Sequence, residues 1–505
     1  MKTSTSCSSR AMRFALPALL SLAVLPLPAL ADIVSDWNER AFITMTGARV
    51  SGGAPQARTA AILHKAMFDA IQAAQASGNG ASAEAAAHAA ARRVLADLYP
   101  AQKAGIEAAY ETAQAKLPNS TAKAAGIEFG EKAASSFLTE CQADGFATPE
   151  TYRPNNVPGT YVPTASMVMS HAAGIKPFAL QSVSQFRPGP PPTLDSALWA
   201  RDYNEVKELG GVKSSKRTAW QTETARFWEI TGAEAWNQAA RALLAGKPLP
   251  LSDSARFFMT LNFANSDASL AVFDAKYHYQ FWRPITAIRN GDRDGNDATE
   301  RDAGWLPAIS TPMHPEYPCA HCVQDGAAGV VLKSMFGAGP VPEFTLTYAG
   351  MPGVTRKYSS ISQLEEEVSM ARLWGGVHFR NSNEVGYALG KRVGEFILKK
   401  PPQPRSNQWT QGASGLSDMP ASFKPRRYSP CLAENSGRAG GHSDSASATV
   451  KPGQSCRSFA TDVSTQTWSR VSAHNEASIA QALRSTLGAS VAVLAWRNED
   501  FRSPS

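Results

Sequence analysis

Between Pro55 and about Gly145 the chain is so rich in alanine, at helical spacing, that closely packed helices are the main architecture open to it. Ala60, Leu63, Met67, Ile71 and Ala74 recur every three or four residues and so share one apolar face. Residues 82–98, 103–116 and 121–143 repeat the pattern, separated by Gly, Pro and Asn. Faces built from alanine let helix axes come close together, so an antiparallel helical scaffold is predicted.

The 505 residues exceed what one ordinary core needs, and 43% hydrophobic against 18% charged residues describes a globular chain. Lys2, Arg10 and Arg13 precede or open a charge-free apolar run from Phe14 to Leu30. Ala29-Leu30-Ala31 then offers a small-x-small cleavage site before Asp32. This predicts a removable export signal over 1–31 and a periplasmic or secreted protein. A retained anchor fits less well, because Pro17, Pro26 and Pro28 interrupt a run already short for a span. No later stretch reaches about 18 apolar residues, so no stable membrane span is expected after the signal is removed. The signal holds three cations and no acid, so its loss lowers the formal charge of +7 by three. That mild excess gives no argument for binding nucleic acid or a membrane surface. Cys141, Cys319, Cys322, Cys431 and Cys456 lie beyond the signal, an odd number that leaves at least one unpaired.

Prolines 154, 158, 163 and 177 and the run Pro188-Gly189-Pro190-Pro191-Pro192 exclude long helices from 146–195, which reads as an extended surface-wrapping segment. Helices are predicted again at 196–209, 217–229, 233–245 and 252–276, with Ser252 as the N-cap of the last. Another starts near Ser360, where Gln363 completes a capping-box spacing, and a final core helix runs from about Glu384 to Lys399. The segment 32–410 is therefore read as one helical domain, a scaffold over 32–250 and a chemical core over 251–400. Residues 411–505 read as a tail whose Ser, Gly and Ala content at 433–460 predicts disorder, with a short helix at 475–487.

Three segments hold residues suited to chemistry. Lys276 and Arg283 are seven apart, two helical turns, and Pro284 biases Arg283 out of the helix. Arg can fork onto two oxygens of a tetrahedral anion while Lys supplies a point charge. In Pro318-Cys319-Ala320-His321, a proline and small residues precede an apolar helix at 326–336, placing backbone N–H groups at a helix start that attracts anions. In Arg372-Leu373-Trp374-Gly375-Gly376-Val377-His378, the glycines allow a sharp bend and a close backbone approach. Singly, each segment also fits a plainer role: a solvated basic face, a helix-start cap, or a satisfied core histidine.

Together they resemble the three-part signature of the vanadium-dependent haloperoxidase and phosphatidic acid phosphatase type 2 superfamily, K-x6-R-P, P-S-G-H and S-R-x5-H-x3-D. Lys276, Arg283 and Pro284 fill the first part, Pro318 and His321 flank the second, and Arg372 and His378 fit the third. Cys319 and Ala320 stand where Ser and Gly are usual, Ala371 where Ser is usual, and Ser382 where the histidine-orienting Asp is usual; Glu384 is a substitute orienting residue. The resemblance implies an all-α bundle with long extended loops. It implies oxyanion binding by Lys276, Arg283, Arg372 and the backbone of Ala320 and Gly376, with His321 as general acid–base. His378 would ligate vanadate or attack phosphorus. The lead-in Pro315-Glu316-Tyr317-Pro318 and the stretch Tyr279 to Pro284 resemble the chloroperoxidase branch. This implies vanadate as cofactor with hydrogen peroxide and halide as substrates. The alternatives are a soluble histidine acid phosphatase acting on phosphomonoesters without a cofactor, and an oxyanion-binding relative without catalysis.

Two other motifs are set aside. His314-x-Glu316 before Pro318-Cys319-x-x-Cys322 imitates a zinc deaminase signature, but one residue between its halves leaves no room for two helix ends around a zinc. A Cys319–Cys322 disulfide or two reduced thiols is the simpler account. The run Asp292 to Asp297 lacks the full calcium-loop pattern and reads as an Asx-rich turn.

Overall fold

The computed structural model describes residues 32–401 apart from 156, 164 and 165. The predicted export signal, the tail from 411 and the helix predicted at 475–487 lie outside the described residues.

The alanine-rich half forms α1 (Ile33–Gly47), α2 (Gly53–Ala76), α3 (Ala83–Leu98), α4 (Lys103–Ala115) and α5 (Thr121–Cys141). Ser82 and Ser120 cap α3 and α5 by accepting from the N–H three residues on. Helix α2 is buried on nearly all sides and packs against α3, α5 and the long α9. At Gly130 on α5, a side chain would lie 2.4 Å from the Ala86 carbonyl of α3, so the absence of a Cβ is what permits the contact. This is the close packing that the alanine pattern predicts. Helix α1, on a stretch without that pattern, is an addition to the predicted elements.

The segment 146–195 is extended as predicted, apart from one short 3-10 turn at Ala172–Gly174. Buried carboxylates pin it to the core: Asp267 accepts from the N–H groups of Phe178, Ala179 and Leu180, and Asp274 takes a two-pronged contact from Arg187 at 2.8 Å. Helices α6 (Ala197–Gly210), α7 (Ala219–Phe227), α8 (Gly232–Ala245), α9 (Leu251–Tyr279) and the short α10 (Pro284–Arg289) follow. Pro250, not Ser252, occupies the N-cap of α9, because the helix begins one residue earlier than predicted. α11 (Ala320–Phe336) leads to an antiparallel hairpin of β1 (Pro340–Thr347) and β2 (Thr355–Ser360), then α12 (Ile361–Trp374) and α13 (Arg380–Lys399). The hairpin was not anticipated from sequence; it is the one sheet among the described residues.

Helix α11 rests on α13 and α9. Gly390 of α13 would place a Cβ 1.9 Å from the Val323 carbonyl, and Gly386 one 2.7 Å from that of Cys319. This contact sets the start of α11 beside the first turn of α13, where Cys319 N–H donates to the Ser382 carbonyl at 3.1 Å. Among the described residues no helix is long and apolar enough to cross a membrane.

Candidate functional site

Helix α9 stops at Tyr279 because Gln280 turns left-handed, with φ of 49°. Lys276 therefore lies in the last turn, where the helix dipole favours a cation. Arg283 is not on that helix, as two-turn spacing suggested. It is the extended N-cap of α10, with Pro284 at the first helical position. A bridge between Thr160 and Phe281, and the bond from Trp282 N–H to the Gly159 carbonyl, hold this backbone against the wrapping segment. The two cations still meet, because the chain folds back between them.

Lys276, Arg283 and Arg372 are all buried, at 0%, 0% and 2% exposure. Lys276 Nζ donates to the carbonyls of Pro315 and Glu316 at 2.9 and 2.8 Å. Arg283 donates to the carbonyls of His314 and Val377 and to ring nitrogens of His314 and His378. Arg372 donates to the Trp228 carbonyl at 2.7 Å, and its Nε finds no partner. Burial lowers the pKa of all three, and Arg283 is held down at about 10. Their hydrogen-bond acceptors are carbonyls and imidazoles, so no carboxylate among the described residues is bonded to them. Three buried basic side chains without an ion pair cluster here, and the Glu316 carboxyl acts on Lys276 and Arg283 through space only.

His378 follows the bend at Gly375-Gly376 and is 1% exposed. Its Nδ1 lies 2.8 Å from Oε1 of Glu316, and Arg283 Nη1 lies 3.2 Å from its Nε2. Because guanidinium can only donate, Nε2 is the acceptor and Nδ1 carries the proton. Glu316 Oε1 also accepts from Phe379 N–H at 3.0 Å, so one carboxylate orients both the ring and the backbone beside it. Burial pushes Glu316 up to about 7 against the lowering effect of Arg283 and Lys276. Burial, then Arg283, Lys276 and Arg372, drives His378 well below its ordinary value, so it is neutral.

Glu316 was noted in the sequence only as part of a lead-in; it fills the role assigned to Ser382 or Glu384. Ser382 is buried on α13 beside Glu316, and its side chain helps hold down that carboxyl rather than meeting the imidazole itself, whereas Glu384 is exposed one turn into the helix. Glu316 reaches His378 from the segment before α11, whereas α13 starts at Arg380 and carries Glu384 to an exposed position. His314 was likewise missed as a pocket residue, although Arg283 Nη2 lies 3.0 Å from its Nδ1.

His321 stands in the first turn of α11, partly exposed. Its Nε2–H donates to the Ile230 carbonyl at 2.9 Å, leaving Nδ1 as an acceptor. Burial and the charges of Arg372, Lys276 and Arg283 lower its pKa. Cys319 caps the helix by accepting from Cys322 N–H, and the first N–H groups, those of Ala320 and His321, have no helical acceptor. Gly376 does not offer its N–H, which donates to the Leu373 carbonyl at 2.9 Å. The position requires glycine for its φ of 73° and for contact with Gly210, whose carbonyl would be 2.3 Å from a Cβ.

The set-aside motifs also resolve. Among the described residues no three His, Cys, Asp or Glu side chains cluster as a cation site. Asp294 accepts from Asn296 N–H, Thr299 Oγ1 and Trp199 Nε1, an Asx turn. Cys319 and Cys322 are thiols not joined in a disulfide.

A family model described as the VCPO second helical-bundle domain matches residues 256–405. The chain is 26% identical over 217 residues to vanadium chloroperoxidase from Curvularia inaequalis; the match covers 36% of this chain and spans about a third (35%) of that protein's length. In structure it resembles a bacterial vanadium-dependent iodoperoxidase, with a TM-score of 0.64, 24% identity, and coverage of 75% of this chain and 99% of that one. A holo-type bacterial vanadium-dependent chloroperoxidase aligns with a TM-score of 0.56 and 17% identity, covering 69% of this chain and 92% of that one.

Proposed function

We propose that this chain, which belongs to the vanadium haloperoxidase and phosphatidic acid phosphatase type 2-like superfamily, binds vanadate in its cationic pocket and oxidises halide with hydrogen peroxide. The observation that carries this reading is the trio of buried cations without an ion pair, gathered at a neutral histidine whose unprotonated Nε2 is held toward Arg283. The residues fit an oxyanion: Arg372 Nε lacks an acceptor inside the protein, and the N–H groups at the start of α11 are also without helical acceptors. Lys276, Arg283, Arg372 and those N–H groups would hold the anion's oxygens, and His378 Nε2 would be the protein ligand to vanadium. Bound vanadate supplies a Lewis acid that activates peroxide toward halide.

The protein's own part is positioning and charge. Glu316 keeps the His378 proton on Nδ1, so the lone pair of Nε2 points inward. The three cations neutralise the oxyanion at no reorganisation cost, since burial and backbone bonds already fix them. His321 would keep an unprotonated Nδ1 able to accept a proton from hydrogen peroxide and to return it to solvent. The reading of residues 1–31 as an export signal would place this chemistry outside the cytoplasm.

The test is to strip oxyanions from the purified chain, restore orthovanadate, and follow peroxide-dependent halogenation of a dye beside hydrolysis of a phosphomonoester. Halogenation that requires vanadate is expected. Phosphoester hydrolysis inhibited by vanadate, without halogenation, would instead assign a histidine phosphatase, and anion binding without either reaction a non-catalytic relative. His378→Ala should abolish the vanadate-dependent reaction while leaving the circular dichroism spectrum unchanged; retained turnover would overturn the site.

A further inference from the structure

Beside the anion donors, the start of α11 holds a buried thiol pair that oxyanion chemistry does not use. Cys319 is the N-cap of α11 and Cys322 lies three residues on, its N–H donating to Cys319 Sγ at 3.5 Å. The two side chains are within hydrogen-bonding reach of each other, and their residues are 0% and 1% exposed. Residues three apart on a helix have Cβ atoms about 5–6 Å apart, a gap that a small adjustment at an N-cap can close to disulfide distance. Asp325 follows at the same spacing of three, so all three residues share one face of the helix. It is 1% exposed; Oδ1 accepts from Trp236 Nε1 at 2.8 Å and Oδ2 has no partner.

We propose that Cys319 and Cys322 form a dithiol that hydroperoxide oxidises, reversibly, to an intramolecular disulfide. The charges differ across the pair. Burial alone would raise the Cys319 thiol, but the Cys322 hydrogen bond, Arg372 and Lys276 outweigh it and favour the thiolate. Burial, Cys319 and Asp325 all raise Cys322, which keeps its proton. The Cys319 thiolate attacks one oxygen of hydrogen peroxide. The O–O bond breaks, the departing hydroxide takes a proton to become water, and Cys319 becomes a sulfenic acid. The Cys322 sulfur then attacks Cys319 and gives up its proton. The S–O bond breaks, the proton leaves with the oxygen as a second water, and the S–S bond forms. Two thiols and one peroxide become one disulfide and two waters. The proposal names the peroxide itself as oxidant, so it does not depend on the haloperoxidase reading.

The experiment uses the full chain, reduced, desalted and free of vanadate and halide, so that its failure leaves the proposed function untouched. After titration with hydrogen peroxide, the protein is denatured in acid, labelled with N-ethylmaleimide and mapped by mass spectrometry. The peptide spanning 319–322 should lose two hydrogens and escape labelling at about one peroxide per closed pair, and dithiothreitol should restore both labels. Cys322→Ser should stop at a Cys319 sulfenic acid trapped by dimedone. Labelling of both cysteines after excess peroxide would overturn the proposal. So would irreversible oxygen addition without a disulfide, or oxidation of the buried Cys141 as readily as Cys319.

Discussion

A histidine that must present one lone pair needs its other nitrogen held, and here a single carboxylate oxygen does it. Glu316 Oε1 accepts from His378 Nδ1 and from Phe379 N–H, so it orients the ring relative to its own backbone. Glu316→Gln keeps the shape and an amide oxygen but removes the charge that raises the basicity of the ring. Turnover and vanadate affinity are expected to fall about 10- to 100-fold, with the thermal midpoint little changed. Glu384→Gln, on the exposed face of α13, should leave both within about twofold. A pair of titrations with orthovanadate, one per variant, checks this; equal losses would return the orienting role to the residues after His378.

Contacts between elements explain which parts of the molecule could be read from sequence. Helical periodicity is local, so α2 to α9 could be placed from spacing alone, and the three cationic segments could be recognised by their internal distances. Glu316 could not, because it meets His378 across 62 positions and only the tertiary fold brings them together. The hairpin was missed for a related reason: Pro340 to Ser360 alternates weakly, and its pairing is fixed by packing on α8 rather than by its own pattern. Gly386, Gly390 and Gly394 recur every four residues, a signal in the sequence that identifies a tight helix contact but not its partner. The partner is α11, and the contact positions the helix start that serves the pocket. Gly390→Ala would drive a methyl group to 1.9 Å from the Val323 carbonyl, and neither atom is the end of a flexible chain. A loss of about 1–3 kcal/mol or more is expected, with weaker anion binding as α11 shifts. Thermal unfolding and vanadate affinity measured on the same sample test the coupling; a stability loss with unchanged affinity would separate the contact from the site.

Across the molecule, buried neutral histidines make the scaffold sensitive to acid. His64 of α2 lies within reach of Asn38 of α1, Asn262 of α9 and the Ala60 carbonyl of its own helix, and burial drives it down to about 3. His88 joins α3 to α1 by accepting from Trp37 Nε1 at 2.8 Å, and burial drives it down to about 4. Both folded values lie below the ordinary 6.5, so the unfolded chain takes up these protons first as pH falls. The stability linked to neutral His88 is full above pH 6.5 and is lost progressively toward pH 4, by about 2 kcal/mol at pH 5. Buried acids act in the opposite sense: burial raises Asp267 to about 6, so its unfavourable ionisation is relieved on acidification. Total stability therefore mixes opposing contributions, and a difference between two chains isolates one of them. His88→Gln keeps an acceptor for Trp37 but does not titrate in this range. Its thermal midpoint should lie below that of the unaltered chain at pH 8, and the gap should close by the equivalent of about 2 kcal/mol at pH 5. Melting curves for both chains from pH 8 to pH 4.5 would show this as convergence beginning near pH 6.5. Parallel curves across that range would mean that His88 is not held neutral, and that the joint between α1 and α3 is looser than its hydrogen bond implies.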